Sequence, residues 1–256
     1  MNAESSHPSS FLCAPWSRIP ISPWLFSLLV LAILTAARFY AVFGGSPWGR
    51  ILFLLDFLAM WALPFLVLTA QGRREIGLRK QGNTASALAL SALAGACSGF
   101  AVYAAGMVLY GSSPDNWCVS IRDAFHLAEM RAAMPLAVAF AAVVLPAMIV
   151  SPIGEELLFR GLIQQSFARR WNVVIATVVN GLAFGLVHLH VHGLWRDAAG
   201  FHLHIVSGAL MVLLMAGVSA VFTLCRLRSG SLYAAMVAHS ACNLAMIGAV
   251  FLYPPA

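Results

Sequence analysis

The sequence predicts an all-α protein, a bundle of helices that crosses a membrane about seven times. Of the 256 residues 61% are hydrophobic and only 9% charged, against about 25% charged in an ordinary soluble domain. Apolar windows of about 20 residues, the length a helix needs to cross a bilayer, recur along the chain. Gly, Pro and Ser fill the gaps between them. A mean hydropathy of +0.86, with seven Trp and sixteen Phe, excludes a soluble globular enzyme. It equally excludes disorder, a collagen-like repeat and a nucleic-acid-binding domain, each of which needs far more polar or charged sequence.

Residues 1–20 are rich in Ser and Pro. The apolar run after them lacks a small-residue cleavage site, so they read as a retained polar N-terminal tail and not as a signal peptide. Candidate spans cover 22–43, 51–70, 86–110, 135–168, 172–190, 204–225 and 231–252, of which the fourth is the least regular. Turns are marked by Gly44-Gly45-Ser46-Pro47, Gly72, Gly82, Gly111-Ser112-Ser113-Pro114 and Ser229-Gly230. Between the third and fourth spans, Asp115 to Met134 mixes charges with Phe125, Leu127 and Met130, and reads either as an interfacial helix or as a loop. With no internal repeat or low-complexity tract, the chain is one membrane domain.

The net charge of +6 comes from fourteen Arg and one Lys against nine acids. Lys and Arg are retained on the cytoplasmic side. An N-terminus inside places nine there: Arg18, Arg73, Arg74, Arg79, Lys80, Arg169, Arg170, Arg226 and Arg228. Arg50, Arg122, Arg131 and Arg196 remain outside, so the asymmetry favours N-in and C-out. The scarcity of Lys fits a GC-rich bacterial genome, and a bacterial inner membrane is the expected location. Five cysteines, an odd number with no C-x-x-C pair, predict neither a disulfide framework nor a zinc knuckle.

Ionisable groups inside a bilayer cost about 2.5–3.5 kcal/mol each on insertion scales, so those that persist are paired or functional. Arg38 and Asp56, in the first two spans, read as a structural ion pair, or Arg38 snorkels to the interface. The others fall in three clusters. In Gly154-Glu155-Glu156-Leu157-Leu158-Phe159-Arg160, Glu156 and Arg160 are spaced i,i+4 and can neutralise one another on one helix face. Glu155 points about 100° away and is the spare carboxylate, a candidate general base or acid. Capping of a cytoplasmic helix end is the plainer reading of the two acids. In Phe184-Gly185-Leu186-Val187-His188 an aromatic ring stands one turn before an imidazole. In His239-Ser240-Ala241-Cys242-Asn243 an imidazole and an amide project together, a proton carrier beside a donor for an oxyanion. A lone His in an apolar helix is more often a satisfied core residue, but two of them with an E-E-x-x-x-R are not easily explained so. At about 1.5 Å rise per residue from the cytoplasmic ends, Glu155, His188, His239 and Asn243 lie roughly 21, 27, 17 and 23 Å up, close enough in depth to converge.

At these residues the sequence resembles the CAAX protease and bacteriocin-processing family of intramembrane endopeptidases, which includes the Rce1 type. The family pattern is E-E-x-x-x-R, F-x-x-x-H and H-x-x-x-N in that order, matched by Glu155-Glu156 with Arg160, Phe184 with His188, and His239 with Asn243. The resemblance covers about 135–252, so that 21–134 would be accessory helices and loops and 135–256 the catalytic core. It implies a glutamate-dependent peptide-bond hydrolase: Glu155 activates water, His188 helps to position it, and His239 and Asn243 bind the oxyanion. Glu156, Arg160 and Phe184 would support them. Glu155, His188 and His239 could instead form a His2Glu zinc site; no H-E-x-x-H is present, and a metal-free site without a cofactor is the expectation. His190, His192, His202 and His204 read as loop imidazoles more than as a metal tract. The implied partner is a membrane-anchored protein or peptide, lipidated or carrying a C-terminal sorting segment, within the lipid bilayer and without nucleic acid. A non-catalytic peptide-binding or immunity-type membrane protein is the alternative, though it would not need two imidazoles, a spare carboxylate and an amide in lipid. A proton-relay transporter is a third, weakened by the missing inverted repeat.

Overall fold

The computed structural model describes residues 11–79 and 84–255. Residues 1–10 of the tail, and Lys80 and Gly82 among the residues singled out above, lie outside the described residues. Seven helices among the described residues are long and apolar enough to cross a membrane, within a few residues of the expected spans. The element order is α1 (Pro23–Phe43), α2 (Gly49–Val67), α3 (Ala70–Glu75), α4 (Ala85–Tyr110), α5 (Trp117–Ala124), α6 (Leu127–Ala133), α7 (Leu136–Glu156), a π-helical stretch (Leu157–Ile163), α8 (Gln164–Arg170), α9 (Val173–Val187), β1 (Leu194–Asp197), β2 (Gly200–Leu203), α10 (Ile205–Ser229) and α11 (Leu232–Leu252). Local chemistry sets the ends. Pro23 opens α1; Thr84, Asn172 and Ser231 accept from backbone N–H groups at the starts of α4, α9 and α11. Gly230, at φ 67°, closes α10 in the left-handed conformation.

The irregular fourth span runs from Leu136 to Arg170, 35 residues, about 52 Å of helix against a hydrocarbon core of about 30 Å. It contains Pro146 and Pro152 within continuous helix and then widens into the π-helical stretch. Proline has no N–H to give the carbonyl four residues back. The Met148 carbonyl, four residues before Pro152, instead accepts from Ser240 Oγ of α11 at 2.6 Å. Two neighbouring carbonyls also look outward: Ala147 accepts from Asn243 Nδ2 at 2.8 Å and Val150 from Trp61 Nε1 at 2.9 Å. The proline-bearing helix is therefore laced to α11 and α2 through carbonyls along its length.

α11 lies against α4 and α7. Gly95 and Gly99 of α4 permit the approach: a Cβ at Gly95 would stand 1.8 Å from the Ala238 carbonyl oxygen, and one at Gly99 2.1 Å from that of Cys242. Small residues one turn apart let two backbones touch in lipid, and this contact fixes the turns of α11 that carry His239 and Asn243.

The segment Asp115 to Met134 forms two short helices, α5, which packs into the protein, and α6, which buries Leu127 and leaves most of its residues exposed. Trp117 is fully buried and its indole donates to the Val102 carbonyl at 3.0 Å. The end of the tail is also packed: Phe11 and Leu12 are buried, and Leu12 pairs with Leu68. The stretch between α9 and α10 is an antiparallel hairpin, Leu194 opposite Leu203 and Asp197 opposite Gly200. It is tied to α5 by imidazoles. His192 sits between the hydroxyls of Ser120 and Ser207 at 2.8 and 2.9 Å, and His204 pairs with Asp115 at 2.7 Å. Burial, with His204 stacked alongside, holds the His192 ring well below its ordinary range, at about 4.

Candidate active site

The three motifs meet around one cavity of about 330 Å³, to which Glu155, His188, His239 and Asn243 all contribute. It extends from the Glu155 carboxylate, past Phe53 and Phe57, to Arg50 at the start of α2 and Phe125 just after α5. It thus reaches toward the end of the bundle that carries the α1–α2 turn, α5 and the hairpin.

Glu155 and Glu156 close α7 at the mouth of the π-helical stretch. Both are buried, at 2% and 0% exposure. Glu156 Oε1 accepts from Arg160 Nη1 at 2.9 Å and from His239 Nδ1 at 2.8 Å. The expected Glu156–Arg160 pair is formed. The Arg160 guanidinium lies 4.5 Å from the ring centroid of Phe184 and 5.1 Å from that of Phe222, so the faces of two aromatic rings hold a cation whose Nε and Nη2 have no hydrogen-bond partner. Phe222 also stacks on His239 at 4.8 Å between centroids. With Nδ1 donating to Glu156, the His239 ring presents Nε2 toward Glu155, 3.8 Å from Oε2.

The expectation that Glu155 lacks a counter-charge is corrected. Arg38 Nη1 donates to Glu155 Oε1 at 2.8 Å while Arg38 Nε donates to Asp56 Oδ2 at 2.9 Å. The Arg38–Asp56 pair exists, but it is one half of a bridge from α2 through α1 to Glu155, and Arg38, 1% exposed, does not snorkel. Glu155 Oε2 has no hydrogen-bond partner although it is buried. A charge count in the sequence pointed here: three intramembrane acids, Asp56, Glu155 and Glu156, stand against two cations, Arg38 and Arg160, so one cation must serve two carboxylates.

His188 follows the last turn of α9. Its Nδ1–H donates to the Phe184 carbonyl at 2.7 Å, and its ring rests 4.5 Å from the Phe184 ring. That bond leaves Nε2 as the acceptor of the neutral ring. The aromatic residue of the second motif therefore holds the imidazole with both its ring and its backbone. One Nδ2 proton of Asn243 is committed to Ala147, on the helix that bears Glu155. Of the other histidines singled out, His190 donates to the Val187 carbonyl and lines the same cavity, His202 pairs with Asp197, His192 bonds Ser120 of α5, and His204 pairs with Asp115 just before α5.

Among the described residues no three His, Cys, Asp or Glu side chains surround a common point as metal ligands would. Glu155 Oε1 already faces a guanidinium, and His188 and His239 each spend Nδ1 on another partner. Their other atoms, Glu155 Oε2 and the two Nε2, are the ones a His2Glu zinc site would use.

A carboxylate with one bound and one open oxygen, two oriented imidazoles and an amide thus lie together in the helical bundle beside a mainly apolar cavity. Residues 137–245 match the family model described as type II CAAX prenyl endopeptidase Rce1-like. The matched segment runs from α7 into α11 and holds all three motifs. No curated protein and no solved structure matches the chain.

Proposed function

We propose that the protein is a metal-independent glutamic endopeptidase that cleaves a membrane-anchored polypeptide inside the helical bundle. The observation that carries this reading is Glu155 Oε2, a buried carboxylate oxygen without a partner, on the wall of the cavity and 3.8 Å from His239 Nε2. A water placed there gives a proton to Oε2 while its oxygen forms a bond to the scissile carbonyl carbon. His188 Nε2 accepts the second hydrogen of that water and fixes its direction. The carbonyl oxygen becomes an oxyanion that takes hydrogen bonds from His239 and from Asn243. A His239 ring donating through both nitrogens is a cation, and Glu156 is the carboxylate opposite it. Collapse then breaks the C–N bond, and Glu155 returns its proton to the leaving amine. Glu156, Arg160 and Phe184 hold these groups without touching the substrate.

The substrate class is a protein or peptide whose C-terminal segment is apolar or lipidated, which the Phe-, Met- and Val-lined wall of the cavity accepts. With the N-terminus cytoplasmic, in a bacterial inner membrane, the cavity opens toward the outer face and takes tails presented from that side.

The test is a panel of single-span proteins with differing C-terminal tails, reconstituted with the purified protein in liposomes. Wild type should release a tail fragment, and Glu155→Gln should lower the rate by at least about 10³-fold, within the range for loss of a positioned base. His188→Ala and His239→Ala should each be severely slowed, and zinc chelation should change nothing. Full activity in Glu155→Gln, or loss on chelation restored by zinc, overturns the reading.

A further inference from the structure

Arg38 lies on α1, nearly a hundred residues before the segment that matches the protease family, yet it touches the catalytic carboxylate. We propose that Arg38 is a positioning residue of the site: its guanidinium anchors Glu155 by one oxygen so that the other faces the cavity, and Asp56 anchors the guanidinium in turn. This rests on the role given to Glu155 above.

Every nitrogen of the guanidinium is engaged. Nη1 donates to Glu155 Oε1 at 2.8 Å, Nε to Asp56 Oδ2 at 2.9 Å, and Nη2 reaches Met60 Sδ at 3.5 Å. The Phe57 ring centroid lies 4.5 Å from its central carbon. A planar fork with donors in fixed directions, held at that many points in the dry interior, cannot swing with its carboxylate. The last torsion of a Glu side chain is broad and roughly two-fold, so an unanchored carboxylate exchanges its two oxygens freely. Here one oxygen is bound and the other is left without a partner, which is the asymmetry a general base needs.

A purely structural role, neutralising Asp56, would require the Nε contact and not the Nη1 contact. The two roles are separable by experiment. Arg38→Met with Asp56→Leu removes both members of the pair, so that Glu155 is the one buried carboxylate that loses its guanidinium contact. Replacing a buried ion pair by apolar residues of similar size is commonly neutral for stability. If Arg38 serves only Asp56, this double variant works as well as wild type. If it positions Glu155, the double variant folds but is slow.

The readouts are kcat, KM and thermal melting in the liposome assay, on the tail released by wild type. The expected result for the double variant is a folded protein with lowered melting temperature, KM within about twofold, and kcat reduced about 30- to 100-fold, the cost of misplacing a reacting group by about 1 Å. Arg38→Lys, which keeps the charge but not the fork, should fall between, and Asp56→Asn, which keeps the Glu155 contact, should lose only a few-fold. Should the double variant fail to fold, the Lys and Asn variants decide: Arg38→Lys with wild-type kcat overturns the proposal. So does a double variant with kcat within threefold of wild type, or one whose defect is all in KM. Activity surviving in Glu155→Gln would instead remove the general-base reading itself, so the two failures are distinguishable.

Discussion

Gly95→Ala is a one-methyl change on a helix that carries none of the groups proposed to react, and the packing of α4 on α11 gives its effect a magnitude. The added Cβ would stand 1.8 Å from the Ala238 carbonyl oxygen, whereas ordinary contact begins at 3.4 Å, so the helices must part by the difference, about 1.6 Å. The backbone atoms on both sides have no rotamer with which to give way. His239 is the next residue on α11, and its Nδ1 sits 2.8 Å from Glu156 Oε1. A shift of even about 1 Å carries that bond beyond the hydrogen-bonding range and turns Nε2 away from Glu155. Misplacement on that scale costs about 10²-fold in rate, equivalent to about 2.7 kcal/mol on the barrier. The assay is kcat in proteoliposomes alongside thermal melting. Gly217→Ala is the control, because nothing lies within 4 Å of a Cβ there, and it should be silent. Gly99→Ala, one turn along and beside Asn243, should resemble Gly95→Ala. The reasoning is refuted if Gly95→Ala melts like wild type and keeps kcat within threefold, or if the Gly217 control is equally impaired.

Three further outcomes are expected. Ser240→Ala removes the donor to the Met148 carbonyl and should cost about 1 kcal/mol, as interhelical hydrogen bonds in membranes do, read as a small drop in melting temperature. The His192 ring titrates at about 4 in the fold against 6.5 ordinarily, so between those values the unfolded chain takes up a proton that the folded chain refuses. Stability from this contact is complete above pH 6.5 and is lost as pH falls toward 4; a melting series should show a shallower decline in His192→Gln, and parallel curves would rule the contact out. Alkaline phosphatase fused after residue 256 should be active outside the cytoplasm, while the same fusion at the N-terminus should not; the reverse pattern would invert the cavity's direction.

Much of the molecule was legible in its residues. The seven spans follow from apolar runs that bilayer thickness makes about 20 residues long, and they recur within a few residues in the structure. The Glu156–Arg160 pair and the seating of His188 on Phe184 were readable because both are i,i+4 on a single helix. Convergence of the three motifs was foreseeable in depth, since helix rise is fixed. The packed state of Trp117 and the tie between His192 and two serines were not readable: the segment around them carries mixed charge and no long period.

What the sequence by itself determined is therefore the chemistry available and its spacing along each helix, because helical periodicity is local and bilayer thickness is a single length. Tertiary structure alone decided which charges answer one another across the bundle. Arg38 meets Glu155 over a separation of 117 residues. Buried charge is costly enough in a low-dielectric interior that three carboxylates and two cations settle into one shared network, and no local pattern records which helix supplies the missing partner. The same holds for α4 and α11, where two glycines admit the backbone that carries His239 and Asn243. Contact at that range depends on the shapes of both helices, which only their packing brings face to face.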